Sequence, residues 1–302
     1  MLNLYWSVYK NIEREVVELS NQIHFVDNQL SIYSVKISEL LIRCSVEIEA
    51  ISKELYFRLG GQQPANGQDL YFDTDCLQLL EDTWLLSKKI VMVSASNMYF
   101  EKGENRLLTP LAKANKRSTS AAKWKQAYQA VKHDRTQSLK DGNIKNLLHA
   151  LAALFMLNIY LKDEVHDLKK SHSTDSFPLN LGSDIFSIKI HNWDGYDGQY
   201  NYHKKEDFDE CIYFVRYSND SLEKNKEARV EMGIKKWEAF KQHPKFSSYV
   251  AENNLEDYKG SNIMWDVLGE TDYWNIIRES GQESLRVANN SDWEAVLNKN
   301  NA

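Results

Sequence analysis

The feature that most constrains the fold is an apolar stripe between Tyr33 and Leu59. Apolar residues recur there at alternating intervals of four and three, at Ile37, Leu41, Cys44, Ile48, Ile51 and Leu55. This spacing keeps the six side chains on one face of a helix, because an α-helix has 3.6 residues per turn. The stripe therefore predicts a long amphipathic helix that packs against other helices, and the Gly60-Gly61 pair ends it.

Further helical patterns predict a bundle over residues 1–172. They lie at residues 8–19, at Ser118 to His133, and at Asn143 to Leu168, which is apolar nearly all round and therefore central. After Ser171 the composition changes, and strand-like segments occur at Asp184 to Ile190 and at Cys211 to Tyr217. Further helices are predicted at 224–240, 262–279 and 292–297. The predicted fold class is thus mainly α, a helical bundle with a smaller α+β C-terminal extension over residues 173–302.

Missing motifs exclude several classes of protein. The sequence has no phosphate-binding P-loop, no dinucleotide-binding glycine motif, no nucleophile elbow and no H-E-x-x-H pair. Its three cysteines have unrelated spacings and form no C-x-x-C pair, so the sequence implies neither a metal nor an organic cofactor. The N-terminal residues lack the pattern of a signal peptide, and the apolar run Leu147 to Leu161 is short for a membrane span. We therefore expect a cytoplasmic protein without a membrane segment.

One segment of this acidic chain is strongly basic. The formal net charge is −6, but residues 102–145 carry 11 basic and 3 acidic residues. Such a segment is suited to follow a phosphate backbone, because each neutralised phosphate releases counterions. The candidate RNA-binding residues are Lys113, Lys116, Arg117, Lys123, Lys125 and Lys132. The alternative is that the basic segment is an internal partner for the acidic flanks.

The run Trp124 to Arg135 supplies candidate catalytic residues. On a continuous helix Arg135 would extend the apolar face, and a buried guanidinium needs a carboxylate partner. Glu47, like Glu54, flanks the apolar stripe of the long helix and is a candidate for this partner, whereas Glu49 lies farther round. His133 falls at the helix C-terminus. One interpretation is a catalytic set for acid-base chemistry on a phosphodiester, formed by Arg135, His133 and Glu47. The alternative is a buried Arg–Glu pair with a histidine on the surface.

Three segments together resemble the HEPN-type helical domains. They are Trp124 to Arg135, the apolar helix that contains Leu147 to Phe155, and the early helix that contains Leu40 to Glu49. The superfamily occurs in prokaryotic toxin, abortive-infection and CRISPR-associated proteins. Many members are metal-independent ribonucleases whose dimers bring together two R-x(4–6)-H motifs. In this sequence no arginine is followed by a histidine at that spacing, and only Arg135 carries over from the motif.

Two functions of different classes follow. The resemblance implies an RNA-directed protein that acts as a metal-independent endoribonuclease in a defence or toxin system, with a homodimer as its working form. The alternative is a non-catalytic interaction or regulatory module whose acidic C-terminal part contacts a protein partner. An aromatic link suits such an interface, with Trp193, Tyr196, Tyr200 and Tyr202.

Overall fold

The computed structural model describes residues 4–65, 68–170, 176–192 and 206–300, and the aromatic link at residues 193–202 lies outside them. It confirms a mainly α protein with a helical bundle and a smaller α+β C-terminal part. The described α-helices are α1 (Leu4–Ser20), α2 (Val35–Arg58), α3 (Gln78–Trp84), α4 (Gly103–Arg106), α5 (Lys123–His133), α6 (Arg135–Ser138), α7 (Ile144–Lys162), α8 (Asn219–Gln242), α9 (Pro244–Glu252), α10 (Ile263–Leu268) and α11 (Glu270–Asn289).

The strands among the described residues are short and form three small sheets. They are β1 (Phe25–Val26), β2 (Val91–Val93), β3 (Met98–Tyr99), β4 (Leu107–Leu108), β5 (His166–Lys169), β6 (Phe186–Ile188), β7 (Ile190–His191), β8 (Tyr213–Tyr217) and β9 (Trp293–Leu297). The strand orders are β1-β3, β4-β2-β6 and β5-β9-β8-β7. The helix predicted at residues 292–297 is wrong, because this segment is the strand β9. Its β-branched and aromatic residues favour a strand, and it is too short for a stable helix.

The chain forms two compact units. One contains Met1–His166, Asp175–Val215 and Ala295–Ala302, and the other contains Asp167–Thr174 and Arg216–Glu294. The sequence predicts a division at residue 172, whereas these units also group segments that are distant in the sequence. The strand β6 belongs to the first unit because it pairs antiparallel with β2.

The helix α2 confirms the apolar stripe. All six stripe residues are buried, and the Ser34 hydroxyl caps the helix by accepting a hydrogen bond from the Ile37 amide. Gly60 follows the helix with a φ of +85°, a conformation that residues with a Cβ atom rarely adopt. The predicted end of the helix is therefore confirmed together with its cause.

The helix α7 lies at the centre of the first unit. Nearly all of its residues from Leu147 to Leu161 are buried, as its apolar composition predicts. It ends at Lys162 because Asp163 adopts a left-handed conformation with a φ of 50°. Its length and composition would also allow a membrane span, but most of its residues are buried inside the protein, as in a core helix.

A buried carboxylate joins α1 to the residues that precede β6. Glu13 is fully buried, and its Oε1 accepts hydrogen bonds from the Tyr9 hydroxyl at 2.6 Å and from the Asp184 amide at 2.9 Å. Its Oε2 accepts from the Lys10 ammonium at 2.5 Å. A buried charge is tolerated when it has such partners, so Glu13 fixes this distant segment against α1.

The second unit has its own apolar core. Phe240 at the end of α8 packs with Met264 and Leu268 of α10 and with Ile276 of α11. The long helices α8 and α11 pack against each other. The helix predicted for residues 224–240 lies within α8. The segment predicted as helical at residues 262–279 instead forms α10 and the first half of α11, which are separated by Gly269 with a φ of +75°.

Candidate functional site

A cleft of about 930 Å³ opens on the first unit. Its walls come from the segment after β1, from α4, from the residues that lead into α5, and from the first turns of α7. Hydroxyl groups line it beside the charged side chains, from Ser31, Thr109, Thr119 and Ser120. The cleft therefore offers neutral hydrogen-bond donors as well as charge.

Four exposed lysines line this cleft, namely Lys102, Lys113, Lys123 and Lys145. Within the described residues, none of their ammonium groups forms an ion pair or a hydrogen bond. The carboxylates of the lining are Asp27 and Glu104. We call this surface the basic cleft, and its excess of unpaired cations makes it attractive to an anion.

The Asp27 carboxylate forms hydrogen bonds with other residues of the protein. Its Oδ2 accepts a hydrogen bond from the Glu101 amide at 2.8 Å, and its Oδ1 accepts one from the Asn105 side chain at 2.7 Å. The bond from Asn105 lowers the pKa of Asp27. Asp27 thus holds the start of α4 in place and does not pair with the lysines of the cleft.

The N-terminus of α7 adds positive potential to the basic cleft. Asn143 caps this 19-residue helix, and its Oδ1 accepts a hydrogen bond from the Asn146 amide at 3.0 Å. The first turn contains no acidic residue, and Lys145 lies in it. Because the helix dipole is positive at this end, the first turn of α7 favours a bound anion.

His149 lies one turn farther along α7 and lines the same cleft. Burial lowers the pKa of His149 to about 4, and the charge of Lys145 contributes. The imidazole is therefore neutral at pH 7, and one ring nitrogen carries a lone pair. No described residue forms a hydrogen bond with it, so this nitrogen can accept a proton from a bound molecule.

The fold separates the six predicted RNA-binding residues. Lys113 and Lys123 are in the basic cleft. Lys132 is exposed on α5, and its ammonium donates to the Tyr128 hydroxyl at 3.2 Å. Lys116 is exposed as well, with its ammonium 3.5 Å from the Gln78 side-chain oxygen.

Lys125 and Arg117 instead bind one buried carboxylate. Lys125 is 3 % exposed, and its ammonium donates to Asp73 at 2.7 Å and to the carbonyls of Ala114 and Lys116 at 3.1 and 2.6 Å. Arg117 donates to both Asp73 oxygens and stacks over the Tyr71 ring at 4.1 Å. The charge of Lys125 is therefore satisfied inside the protein.

The predicted catalytic residues lie at a break in the chain. The helix α5 ends at His133, and Asp134 caps the short helix α6 that begins at Arg135. Arg135 therefore does not continue the apolar face of α5. Both His133 and Arg135 are exposed, and neither forms an ion pair among the described residues.

Glu47 does not supply the expected partner for Arg135. It is partly buried on α2, and burial raises its pKa while the Arg43 charge lowers it. The acid of α2 that acts on α5 is Glu49. Burial is the main cause of the raised pKa of Tyr128, and the charge of Glu49 adds to it. The hydrogen bond to the Tyr128 hydroxyl is the main cause of the raised pKa of Lys132, and Glu49 adds to this shift as well.

Lys102, Lys145 and His149 are the site residues missing from the predicted set. Both lysines belong to the basic segment 102–145, so its charge was the available signal. His149 had a weaker signal, because a single histidine within an apolar helix has the pattern of an ordinary core residue.

Comparisons with protein-family models, with curated proteins and with solved structures give no match for this chain. The fold and the site define a mainly α protein with a basic surface cleft. A fold class alone does not fix an activity, whereas the residues of the cleft limit what it can bind.

Proposed function

We propose that this protein binds RNA through the basic cleft, as its resemblance to HEPN-type domains implies. The observation that carries the proposal is the set of four unpaired lysines that line the cleft, together with the first turn of α7, where one of them, Lys145, lies. Unpaired ammonium groups are free to neutralise phosphates, and the release of counterions then drives binding. The hydroxyl groups of the lining support the same proposal, because they suit phosphate and ribose oxygens.

The size of the cleft favours a chain of phosphates over a single small anion. A volume of about 930 Å³ exceeds what one phosphate fills, and the lysines come from four separate parts of the chain. A single-stranded RNA can follow such a groove, because its backbone is flexible and presents phosphates in series. We propose single-stranded RNA as the bound form.

Neutralising two lysines of the cleft should weaken RNA binding. We expect Lys113→Ala/Lys145→Ala to reduce the slope of log affinity against log salt by about 1.4, because each contact to single-stranded nucleic acid contributes about 0.7. Fluorescence anisotropy with a labelled single-stranded RNA between 50 and 200 mM salt measures this slope.

The matched control is Lys241→Ala/Lys259→Ala. These two lysines are exposed in the second unit, and they form no ion pair with described residues. This double variant changes the net charge equally, so its salt slope should equal that of the wild type. Equal slopes in the cleft and control variants would contradict the proposal.

Metal-independent cleavage is the proposed activity of the bound state. A nearby phosphate should raise the pKa of His149 from about 4, because an opposite charge favours the imidazolium. His149 is then suited to take the proton of an RNA 2′-hydroxyl as its oxygen attacks the adjacent phosphorus. The bond from phosphorus to the 5′-oxygen breaks in this step, and the 5′-oxygen leaves as a hydroxyl after it takes a proton from water. The exposed pair His133 and Arg135 is the second candidate centre, from the resemblance.

Cleavage assays can separate these two centres. We expect the wild type to cut total RNA or tRNA in EDTA, leaving 2′,3′-cyclic phosphate ends. His149→Ala should lower the rate by about 10²- to 10⁴-fold, the usual range for losing a general base. His133→Ala/Arg135→Ala should cut normally. A loss confined to that double variant would place the centre at the α5–α6 break, and uncut RNA would remove cleavage from the proposal.

One observation favours the second function, a protein-interaction module. The helix α8 carries an exposed apolar stripe of Val230, Ile234 and Trp237, with exposures of 65 %, 54 % and 45 %. Their spacing of four and three residues places them on one helix face, which suits an apolar contact with a partner. If the protein does not bind RNA even at low salt, the protein-interaction module becomes the proposed function.

A further inference from the structure

Three potential metal ligands converge in the first unit. His191, Asp207 and Cys211 each offer one ligand atom, and these atoms lie within 4.8 Å of one another. The Nδ1 of His191 lies 3.1 Å from the Oδ1 of Asp207. Among the described residues, the cysteines Cys44 and Cys76 belong to no such group.

Regular backbone structure holds these three side chains. His191 is on β7, which pairs parallel to β8 in the register His191 to Phe214. Asp207 lies in a 3₁₀ turn over Glu206–Glu210, and the Cys211 amide closes that turn by donating to the Phe208 carbonyl at 3.2 Å. The donor atoms are therefore positioned by a strand and by the turn that leads into its neighbour.

The donor set has the chemistry of a zinc site. Imidazole nitrogen, carboxylate oxygen and thiolate sulfur all bind zinc, at about 2.0 to 2.3 Å. Tetrahedral ligands at these distances lie about 3.3 to 3.8 Å apart, so small side-chain movements would bring the three atoms to a common ion. Magnesium and calcium prefer oxygen ligands only, which excludes them here.

We propose that His191, Asp207 and Cys211 bind a zinc ion. His191 and Cys211 are almost fully buried, whereas the Asp207 side chain is 39 % exposed and provides access from solvent. Three protein ligands leave the fourth tetrahedral position to water. This inference does not depend on RNA binding.

The charges around Asp207 allow its carboxylate to leave Lys189 and bind a metal ion. The ammonium of Lys189 lies 3.7 Å from Asp207 and 2.5 Å from Glu210. Lys189 therefore keeps a carboxylate partner when Asp207 turns to a metal. The bound ion would tie His191 to Asp207, which is 16 residues farther along the chain, and so stabilise the folded state.

Cobalt(II) provides the test, because it takes zinc sites and gives an absorption band when a thiolate binds it. We expect one equivalent of cobalt(II) to give a thiolate-to-cobalt band in the chelator-treated full-length chain, and zinc(II) to bleach it. The band should be absent in Cys211→Ser and present in Cys76→Ser. His191→Ala should weaken cobalt binding by more than about 100-fold.

A second readout covers the case in which Cys211→Ser does not fold. Zinc should raise the melting temperature of the wild type and of Cys76→Ser, and should leave Asp207→Asn and His191→Ala unchanged. The proposal is overturned if the wild type gives no thiolate band, or if the band persists in folded Cys211→Ser. A melting temperature that zinc does not change would also overturn it.

Discussion

Asp73→Asn should lower the free energy of unfolding by about 3 to 5 kcal/mol, the usual loss when one partner of a buried ion pair is removed. Asp73 and Lys125 are both buried, at 5 % and 3 % exposure. Burial raises the pKa of Asp73, but the hydrogen bonds from Arg117 and Lys125 outweigh burial and hold this pKa well below its usual range. The substitution leaves the Lys125 ammonium buried beside a neutral amide.

The pH dependence has a defined sign. Because the folded-state pKa of Asp73 is lowered, its contribution is fully present above the unfolded pKa, near 4, and is lost as the pH falls further. The difference between wild type and Asp73→Asn should be constant from pH 5 to 7 and smaller at pH 3. Urea denaturation at these pH values measures both statements.

Two further variants test the cause. Adding Lys125→Met to Asp73→Asn should restore more than half of the lost stability, because the unpaired charge is then gone. Asp75→Asn is the matched control. Asp75 accepts the Tyr71 amide and forms no ion pair within the described structure, so its loss should stay below about 1 kcal/mol. An equally small loss of stability in Asp73→Asn would contradict the role of Asp73 as the partner of the buried Lys125 ammonium.

The helices were predictable where periodicity reports burial. The stripe of α2 and the apolar run of α7 specify which faces are inside, whatever the neighbouring elements are. The C-terminal end of α5 at His133 agrees with the prediction, but its start does not. The predicted helix starts at Ser118, but the chain forms a separate 3₁₀ turn over Ser118–Ser120 and α5 begins at Lys123. Local propensity differs little between these alternatives, so tertiary contacts decide.

The candidate site was predictable only as a charged region. The sequence shows that residues 102–145 are basic, but it does not show which cations already have partners. Lys125 pairs with Asp73, which is 52 residues away, whereas Lys123 lies in the basic cleft. Two lysines of one helical turn thus have different roles, because the side chains of positions i and i+2 point in different directions.

The zinc site was hidden for a similar reason. His191, Asp207 and Cys211 have no spacing typical of a metal motif, and β-pairing with a 3₁₀ turn brings them together. Sequence motifs detect ligands that one local element positions. Ligands that only the tertiary structure brings together leave no such motif, which explains why the sequence alone implies no metal.

Lys89→Met should raise the free energy of unfolding at pH 7 by about 2 to 3 kcal/mol. Lys89 is 1 % exposed, and its ammonium forms no hydrogen bond or ion pair with the described residues. Burial lowers its pKa from 10.5 to about 8, and the charges of Asp209 and Cys211 only partly oppose this shift. At pH 7 the folded protein therefore carries a buried ammonium, which methionine replaces with an apolar side chain of similar length.

The gain should shrink as the pH rises. Between pH 8 and 10.5 the folded chain releases the Lys89 proton while the unfolded chain keeps it, so the wild type gains stability relative to the variant. The difference at pH 9.5 should be less than half of that at pH 7 in urea denaturation. Lys88→Met is the control, because Lys88 is 55 % exposed and pairs with Asp209 at 2.7 Å. Its substitution should leave the free energy of unfolding nearly unchanged, because exposed ion pairs contribute little. A Lys89→Met variant that behaves like Lys88→Met at both pH values would show that the Lys89 ammonium is solvated.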